Sequence, residues 1–288
     1  MLQTDSSLAV IGASGFIGGA LAKRLEREGI DYEGYTRLRP FVEDGHLAPG
    51  VEEADVVFWL VSSISPSISA GSNGASEDLR ALRHLLEGFS RRGRRPPRVV
   101  AVSSGGTVYD MRTPPPYSES SPTRGANEYG KAMLAVEALI GELAEDFVVL
   151  RASNAYGPGQ RARRGQGVIA HWLDGLQKAE PVRVLGDPAT RRDYLYIDDL
   201  VDALLRAASV RDLPPVINIG TGTGTSLSEL LECLSLAVGR RIPAEFSPSR
   251  GFDAPSTWLD VALAKKTLDF EASVTLEDGL RRAWFALS

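Results

Sequence analysis

The sequence has few of the residues that build disulfide frameworks and metal sites. Its 288 residues include a single cysteine, Cys233, which excludes an internal disulfide. The three histidines, His46, His84 and His171, are scattered without the spacing of metal ligands, so we predict no metal site. Cys233 lies in an apolar run with helical spacing and is expected in the core.

Long apolar runs and an excess of basic charge are also missing. No stretch approaches the roughly 20 apolar residues that a membrane helix needs, and residues 1–7 lack the basic start and apolar core of a signal peptide. We therefore expect a cytoplasmic protein without a membrane partner. The formal net charge of −5 argues against nucleic acid as a partner.

The chain has the composition and length of a soluble globular protein with a full core. Hydrophobic residues make up 43% and charged residues 24% of its 288 positions, enough for one large domain or two interlocked ones. From residue 8 to residue 103, strand-like apolar runs alternate with helical ones, which predicts an α/β fold with a doubly wound parallel sheet. Residues 39–55 are short for a helix and a strand, so the third strand is expected to be absent or abbreviated.

Glycine is plentiful, and three glycines stand three residues apart between an apolar strand at 8–11 and an amphipathic run. In a dinucleotide site, the first glycine permits a tight turn, the second lets backbone approach a pyrophosphate, and the third brings the helix close to the strand. The free N–H groups at the helix start favour phosphate. We interpret the stretch as a dinucleotide site rather than an ordinary turn. The expected cofactor contacts are Gly12, Ser14, Gly15, Phe16, Ile17 and Gly18.

The end of the second predicted strand, at 32–36, carries arginine where many dinucleotide sites carry an acid. Asp or Glu there binds the ribose 2′-hydroxyl of NAD, whereas Arg suits the 2′-phosphate of NADP. Thr36 is followed by Arg37, with Arg39 close behind, and guanidinium groups pair well with phosphate. We therefore favour NADP over NAD. The alternative is a pair of solvated arginines on a loop.

Several motifs follow in order over nearly the whole chain. They are GASGFIG at 12–18, SSGGTVY at 103–109, YGK at 129–131, RASNAYGPG at 151–159, RRDYLYIDDL at 191–200, NIGTG at 218–222 and RGFDAPSTWLD at 250–260. Together they resemble the extended short-chain dehydrogenase/reductases of the UDP-galactose 4-epimerase type, which act on nucleotide sugars with NAD(P). The resemblance implies a Rossmann-type domain at 1–155, to which 182–220 return. It also implies a smaller substrate-binding region at 156–181 and 221–288.

The resemblance assigns the acid/base to Tyr129, which would also contact the cofactor. In the family, a Lys four residues later holds the nicotinamide ribose and lowers the tyrosine pKa, but this chain has Met133 there, which the resemblance places among the cofactor contacts. Lys131 is only two residues on and points to roughly the opposite side of a helix. Loss of the cation would slow a base-dependent step by about one to three powers of ten. A reduction, in which tyrosine donates its proton, suffers less, so altered chemistry and normal activity both stay open.

A second departure from the family concerns the Ser or Thr that hydrogen-bonds the substrate oxygen. This position matches Gly105, and the neighbouring hydroxyls of Ser104 and Thr107 could serve instead. Dehydratase relatives usually carry an acidic pair where this chain has Gly106 and Thr107. A dehydratase is therefore ranked below the other activities of the family.

The substrate side of the family pattern is better kept. Asn154 resembles the Asn that contacts the diphosphate, and Arg192 and Arg250 match two arginines that grip it. Asp253 falls at the position that often binds a nucleoside ribose. The alternative is salt bridging, in which Arg192 pairs with Asp193 and Arg250 with its own neighbour Asp253.

These observations predict hydride transfer at a secondary alcohol or ketone of a nucleotide-linked sugar, by a 4-epimerase or a 4-ketoreductase. Alternatives are a nucleotide-sugar dehydratase and a non-catalytic NADP-binding sensor, the latter suggested by Met133 and Gly105. Family members commonly pair the helices that here begin near residues 77 and 127 across a two-fold axis. We therefore expect a homodimer, with apolar residues on more than one face of these helices.

Overall fold

The short apolar runs form strands and the amphipathic runs form helices in the computed structural model, which describes residues 6–64, 73–91, 94–162, 167–248 and 256–287. The strands are β1 (Leu8–Ile11), β2 (Glu33–Tyr35), β3 (Val42–Glu43), β4 (His46–Leu47), β5 (Val56–Trp59), β6 (Arg98–Ser104), β7 (Phe147–Ala152), β8 (Asn154–Tyr156), β9 (Val182–Leu185), β10 (Arg191–Arg192), β11 (Tyr194–Tyr196), β12 (Val216–Ile219), β13 (Thr225–Ser226) and β14 (Ala244–Ser247). The helices are α1 (Phe16–Glu28), α2 (Pro49–Glu52), α3 (Gly74–Arg91), α4 (Glu128–Leu143), α5 (Val168–Gln177), α6 (Ile197–Ser209), α7 (Leu227–Ala237), α8 (Ala262–Leu268) and α9 (Leu276–Phe285).

Six parallel strands form the central sheet, in the order β2-β1-β5-β6-β7-β12. Successive residues of a strand point to opposite faces. Accordingly, Leu8 and Val10 of β1 lie in one core cluster with residues of α1 and α6, while Ala9 and Ile11 lie in a second with residues of α3 and α4. Helices thus cover both faces, as an all-parallel sheet requires. The predicted doubly wound, Rossmann-type fold is confirmed.

The central sheet ends at β2, as the short segment at 39–55 predicts. The described chain there forms a two-residue antiparallel hairpin of β3 and β4, followed by the single-turn helix α2. Among the described residues, no strand pairs with the outer side of β2. The edge of β2 therefore stays open next to the glycine-rich turn.

The smaller region is built from two-stranded sheets that pair β8 with β11, β9 with β14, and β10 with β13. The stretch 182–220 returns to the central sheet only in its later part, through α6 and β12. Its first strand, β9, pairs instead with β14. The physical reason lies in its alternation, since Val182 and Val184 are buried and Arg183 is exposed. A strand with one solvent-exposed face does not fit a sheet that is covered by helices on both sides.

The helices have the lengths and capping of a globular protein. In the described part of the chain, no helix is both long and apolar enough to cross a membrane. Helix α7 begins with a capping box formed by Ser226 and Glu229. Cys233 lies on this helix, partly buried against the first core cluster.

Candidate active site

Two close backbone approaches shape the glycine-rich turn between β1 and α1. Gly12 has a φ of 97°, and a Cβ there would lie 2.8 Å from the carbonyl oxygen of Leu60. A Cβ on Gly18 would overlap the Gly12 carbonyl group, whose carbon it would approach to 2.8 Å. Helix α1 begins directly after Gly15, so its first N–H groups have no partner within the helix. The turn therefore fits the pyrophosphate of a dinucleotide.

An open cavity of ≈ 430 Å³ lies between this turn and the end of β2. Ser14 and Gly15 are exposed, whereas Phe16 and Ile17 are partly buried against the first core cluster. In dinucleotide-binding sheets, the adenosine ribose lies between the first helix start and the end of the second strand. The cavity occupies that place. Its lining residues are Ala13, Ser14, Tyr32, Gly34, Thr36 and Arg39.

Thr36 directly follows β2 and begins a tight turn that carries two arginines. Its Oγ1 accepts hydrogen bonds from the N–H groups of Leu38 (3.1 Å) and Arg39 (3.2 Å), and its own N–H donates to the Arg39 carbonyl (2.8 Å). Arg37 extends toward the segment after β5, where its Nη2 lies 3.5 Å from Ser63 Oγ. The structure thus places Thr36 in the cavity wall, adds Arg39 to it, and keeps Arg37 in the same turn.

The segment after β5 links the glycine-rich turn to the mid-chain tyrosine. Its first carbonyl group lies against the turn, and the side chain of Ser62 is a hydrogen-bond partner of the Tyr129 hydroxyl. Ser63 is fixed by the buried Asp78 of α3, whose carboxylate accepts from the Ser63 N–H at 2.7 Å and from its hydroxyl at 2.6 Å. Ser62 is not among the site residues predicted from the sequence. The available signal was a pair of serines directly after an apolar strand.

Tyr129 lies in the first turn of α4, against the loop after β6. Asn127 caps the helix by accepting from the Gly130 N–H at 2.9 Å. A Cβ on Gly130 would approach the Thr107 carbonyl carbon to 2.9 Å, so the helix start packs directly on that loop. Burial raises the pKa of Tyr129 to about 12, and the Ser62 hydrogen bond acts in the opposite direction. Neither influence is a cation, so the phenol stays protonated at neutral pH.

The residues around the expected lysine position supply no charge to this phenol. Lys131 is directed to solvent, with 60% of its side chain exposed and its Nζ 2.7 Å from Glu128 Oε1. Met133, one turn after Tyr129, is only 4% exposed and packs in the second core cluster. It provides apolar packing below the tyrosine, and Lys131 does not replace the missing cation.

The hydroxyl position that the family fills with Ser or Thr is closed by Leu259. A Cβ on Gly105 would lie 2.6 Å from Leu259 Cδ1 and 3.1 Å from the Arg151 carbonyl oxygen. A serine therefore does not fit unless Leu259 moves. Nearby, Thr107 Oγ1 donates to Ser104 Oγ at 2.8 Å, which leaves the Ser104 hydroxyl hydrogen to point elsewhere. Leu259 is not among the site residues predicted from the sequence, because its contact with Gly105 joins distant parts of the chain.

Asn154 lies at the carboxyl side of the central sheet, near the loop after β6. It is exposed on β8, and its Nδ2 donates to the Asp193 carbonyl at 3.0 Å. Its Oδ1 would lie 3.8 Å from a Cβ on Gly106. The structure therefore brings this predicted substrate contact close to the loop after β6, which carries Thr107 and directly follows Ser104, the last residue of the strand.

Arg192 lies on β10 and forms an isolated bridge to Thr257. The neighbouring Asp193 is buried, and its carboxylate accepts from the N–H and Oγ1 of Thr221 and from the Gly222 N–H. Burial raises the pKa of Asp193, and these hydrogen bonds oppose that rise. The Asp193 carboxylate therefore holds the loop at 218–222 through hydrogen bonds, instead of serving mainly as a salt-bridge partner of Arg192. The other two predicted substrate contacts, Arg250 and Asp253, lie outside the described residues.

A buried ion pair supports the site from below. Glu137, two turns after Tyr129 on α4, bonds Arg151 of β7 at 2.6 Å, with 9% and 7% of the two side chains exposed. Ser103 also donates to the Glu137 carboxylate, and the Arg151 guanidinium lies 5.0 Å from the centre of the Tyr109 ring. The pair fixes the helix that carries Tyr129 to β6 and β7.

Replacement of Glu137 by Ala should lower the free energy of unfolding by about 3–5 kcal/mol, because it leaves the Arg151 charge buried without its partner. Denaturant unfolding measures the change. The matched control is Glu142→Ala on the exposed end of the same helix, which we expect to stay within about 0.5 kcal/mol of the wild type. If both variants lost the same free energy of unfolding, the buried ion pair would contribute no more to stability than an exposed glutamate.

In the described residues, no cluster of three or more His, Cys, Asp or Glu side chains is arranged to hold a metal ion. The polar side chains described around the cleft include the hydroxyls of Ser14 and Thr36, the Arg39 guanidinium and the Asn154 amide. They suit a phosphorylated organic ligand, because phosphate oxygens accept hydrogen bonds from these donors.

Comparison with known proteins relates the whole chain to nucleotide-sugar enzymes. The model of the NAD dependent epimerase/dehydratase family matches residues 8–220. UDP-glucose 4-epimerase of Mycolicibacterium smegmatis is 31% identical over 303 residues, covering 95% of this chain and 96% of that protein. The dTDP-6-deoxy-L-talose 4-dehydrogenase (NAD(P)(+)) of Kitasatospora kifunensis is 30% identical, covering 98% and 95%. The likeness thus extends beyond the cofactor half.

A solved structure supports the same relation. MoeE5 in complex with UDP-glucose and NAD has a TM-score of 0.82 to this chain, at 29% identity and with 98% of each chain covered. Both the central sheet and the smaller region are therefore shared.

Proposed function

The chain belongs to the NAD-dependent epimerase/dehydratase family, and from this premise we propose that it reduces a ketone of a nucleotide-linked sugar. A bound nicotinamide dinucleotide supplies the hydride. The turn at Gly12, Gly15 and Gly18 would hold the pyrophosphate, and Thr36 and Arg37 would lie at the adenosine end. Because Arg37 and not an acid follows β2, NADP is the favoured dinucleotide, with NAD as the alternative.

One observation carries the choice of reduction: no described cation lies beside the partly buried Tyr129, and desolvation raises its pKa to about 12. A protonated phenol can donate to the oxygen that becomes an alcohol. An oxidation needs the phenolate, which at pH 7 is only about one part in 100,000 of a group with this pKa. A 4-epimerase needs both directions in each cycle. The site therefore favours a 4-ketoreductase over a 4-epimerase.

The substrate would be positioned by residues of the smaller region and of the loop after β6. Ser104 or Thr107 would orient the reacting oxygen, and Thr107 is already hydrogen-bonded to Ser104. Asn154 and Arg192 would contact the diphosphate. Arg250 and Asp253 are proposed as further contacts from the family pattern.

A non-catalytic NADP-binding sensor is the second candidate. It is favoured by Leu259, which closes the hydroxyl position at Gly105, and by Met133, which packs in the core in place of a charged residue. A sensor would bind the dinucleotide and the nucleotide sugar without turnover.

The experiment that separates these candidates uses the purified full chain with NADPH or NADH and a panel of UDP- and dTDP-linked sugars, both 4-keto and 4-hydroxy. Absorbance of the reduced nicotinamide follows hydride transfer, and chromatography identifies products. We expect NADPH consumption with a 4-keto sugar and much slower epimerisation of 4-hydroxy sugars. Tight binding without turnover across the panel would support the sensor.

Met133→Lys should make the protein a better catalyst for oxidation of the sugar alcohol by the oxidised dinucleotide. A lysine ammonium one turn from Tyr129 lowers the tyrosine pKa by about one to three units, so the oxidation rate at neutral pH should rise by a similar number of powers of ten. In the wild type, the rate should climb with pH toward about 12; in the variant it should level off earlier. The control is Met133→Leu, and identical pH profiles in the two variants would contradict this role of the charge.

We further propose that the protein is cytoplasmic and a homodimer. Most of the apolar residues that suggest an interface on α3 and α4 lie in the chain's own core, because both helices pack on the central sheet. These are Leu82, Leu86, Met133, Val136, Leu139 and Ile140. The apolar surface left for a partner comes from Leu79, Leu134 and Ala138, which keep part of their exposure. Sedimentation velocity tests the dimer.

A further inference from the structure

Arg39 crosses the open edge of β2 and reaches both faces of the sheet. It lines the cavity together with Gly34, yet its Nη2 donates to Glu33 Oε2 at 2.5 Å and its guanidinium lies 5.2 Å from the centre of the Tyr35 ring. Glu33 and Tyr35 are two residues apart and share one face, whereas Gly34 between them faces the other. Arg39 is therefore divided between the cavity and the opposite side of the strand.

Glu33 is held in place on that opposite side. A Cβ on Gly50 would lie 2.6 Å from Glu33 Cγ, so the glutamate stem packs closely on the start of α2. Side-chain exposures of 59% for Arg39 and 46% for Glu33 leave the ion pair open to exchange. An exposed pair of this kind is weak enough for a stronger anion to compete for the guanidinium.

Arg37 has a different position in the same turn. Its described contact is with a neutral hydroxyl, that of Ser63, and among the described residues it forms no ion pair. The hydrogen bonds of Thr36 to the two following N–H groups fix the turn from which both arginines extend. The turn thus presents one arginine with no carboxylate partner in the described part of the chain and one whose charge is already balanced by Glu33.

We propose that Glu33 sets the cofactor selectivity of this protein, by competing with the 2′-phosphate of NADP for Arg39. Arg37 is then the main phosphate contact, and the site accepts NAD as well as NADP. This inference rests on the proposed binding of a nicotinamide dinucleotide at the glycine-rich turn. It assigns Glu33, which pairs with Arg39 in the structure, as a specificity-determining residue.

The test measures dissociation constants for NADPH and NADH by titration calorimetry on the full chain. Glu33→Gln should tighten NADPH by about three- to tenfold and leave NADH unchanged, because Arg39 becomes free to pair with the phosphate. Arg39→Ala should change NADPH binding by less than about twofold in the wild type. In the Glu33→Gln background, it should remove the whole gain. Arg37→Ala should weaken NADPH by about tenfold or more.

The matched control is Glu43→Gln, which removes an equal charge from the neighbouring exposed hairpin. We expect it to alter the ratio of NADPH to NADH affinity far less than Glu33→Gln does. Equal effects of the two variants would overturn the proposal, and so would weaker NADPH binding by Glu33→Gln. If the wild type binds neither dinucleotide, the proposed function itself fails. If it binds both but Glu33→Gln leaves the two dissociation constants unchanged, only the role of Glu33 fails.

Discussion

Tyr129→Phe should reduce turnover by about two to four powers of ten, the usual contribution of a positioned acid or base. The hydroxyl is the proton donor of the proposed reduction, and its raised pKa keeps it protonated through the physiological range. Phenylalanine keeps the ring that packs against the second core cluster, so stability and dinucleotide affinity should change little. The initial rate of NADPH oxidation with a 4-keto sugar measures the loss.

The matched control for this substitution is Tyr117→Phe. That phenol is buried, and its hydroxyl donates to the Thr113 carbonyl at 2.9 Å. Its removal should cost stability rather than turnover. Retention of more than about a tenth of the wild-type rate by Tyr129→Phe would contradict its role, since general acids contribute at least about a hundredfold.

Gly18→Ala should weaken binding of both dinucleotides by about 30- to 150-fold, equivalent to about 2–3 kcal/mol of misplaced backbone. The added Cβ would overlap the Gly12 carbonyl group, so α1 must move away from the turn that is proposed to hold the pyrophosphate. Calorimetric titration with NADPH and NADH measures the effect, which should be the same for both because the pyrophosphate is common to them.

The neighbouring Gly19→Ala is the control, because a Cβ there would lie 3.6 Å from the Ala13 carbonyl oxygen, an ordinary contact. In this helix an alanine should add up to about 1 kcal/mol of stability without loss of binding. If Gly18→Ala bound dinucleotides as tightly as Gly19→Ala, the glycine-rich turn would not be the cofactor site.

The cofactor half of the molecule was accessible from local sequence. The strand at 8–11, the glycine spacing and the abbreviated third strand depend on residues near each other in the chain, where periodicity and turn chemistry apply directly. How residues 182–220 return to the central sheet was harder to predict from the sequence. Strand β9 resembles a further strand of the central sheet, and only its alternation of buried and exposed residues argues against that place. Its pairing with β14 joins residues about 60 positions apart in the sequence.

The features that set the chemistry at Tyr129 also divide into those visible in the local sequence and those set by tertiary packing. Absence of a lysine at Met133 is visible in the sequence, and so is the direction of its effect on the phenol. The partner at Ser62 is set by how the segment after β5 meets α4. Likewise, the side chain that closes the position at Gly105, Leu259, is separated from it by more than half of the chain.

By itself, the sequence determined the Rossmann-type sheet, the dinucleotide turn and the missing cation, because each follows from residue type at a local spacing. Only the tertiary structure decided that Leu259 fills the serine position and that Arg39 is shared with Glu33 across the edge of β2. Such contacts depend on side-chain volume and direction in three dimensions. They arise where separate segments pack together, and no periodicity along the chain records them.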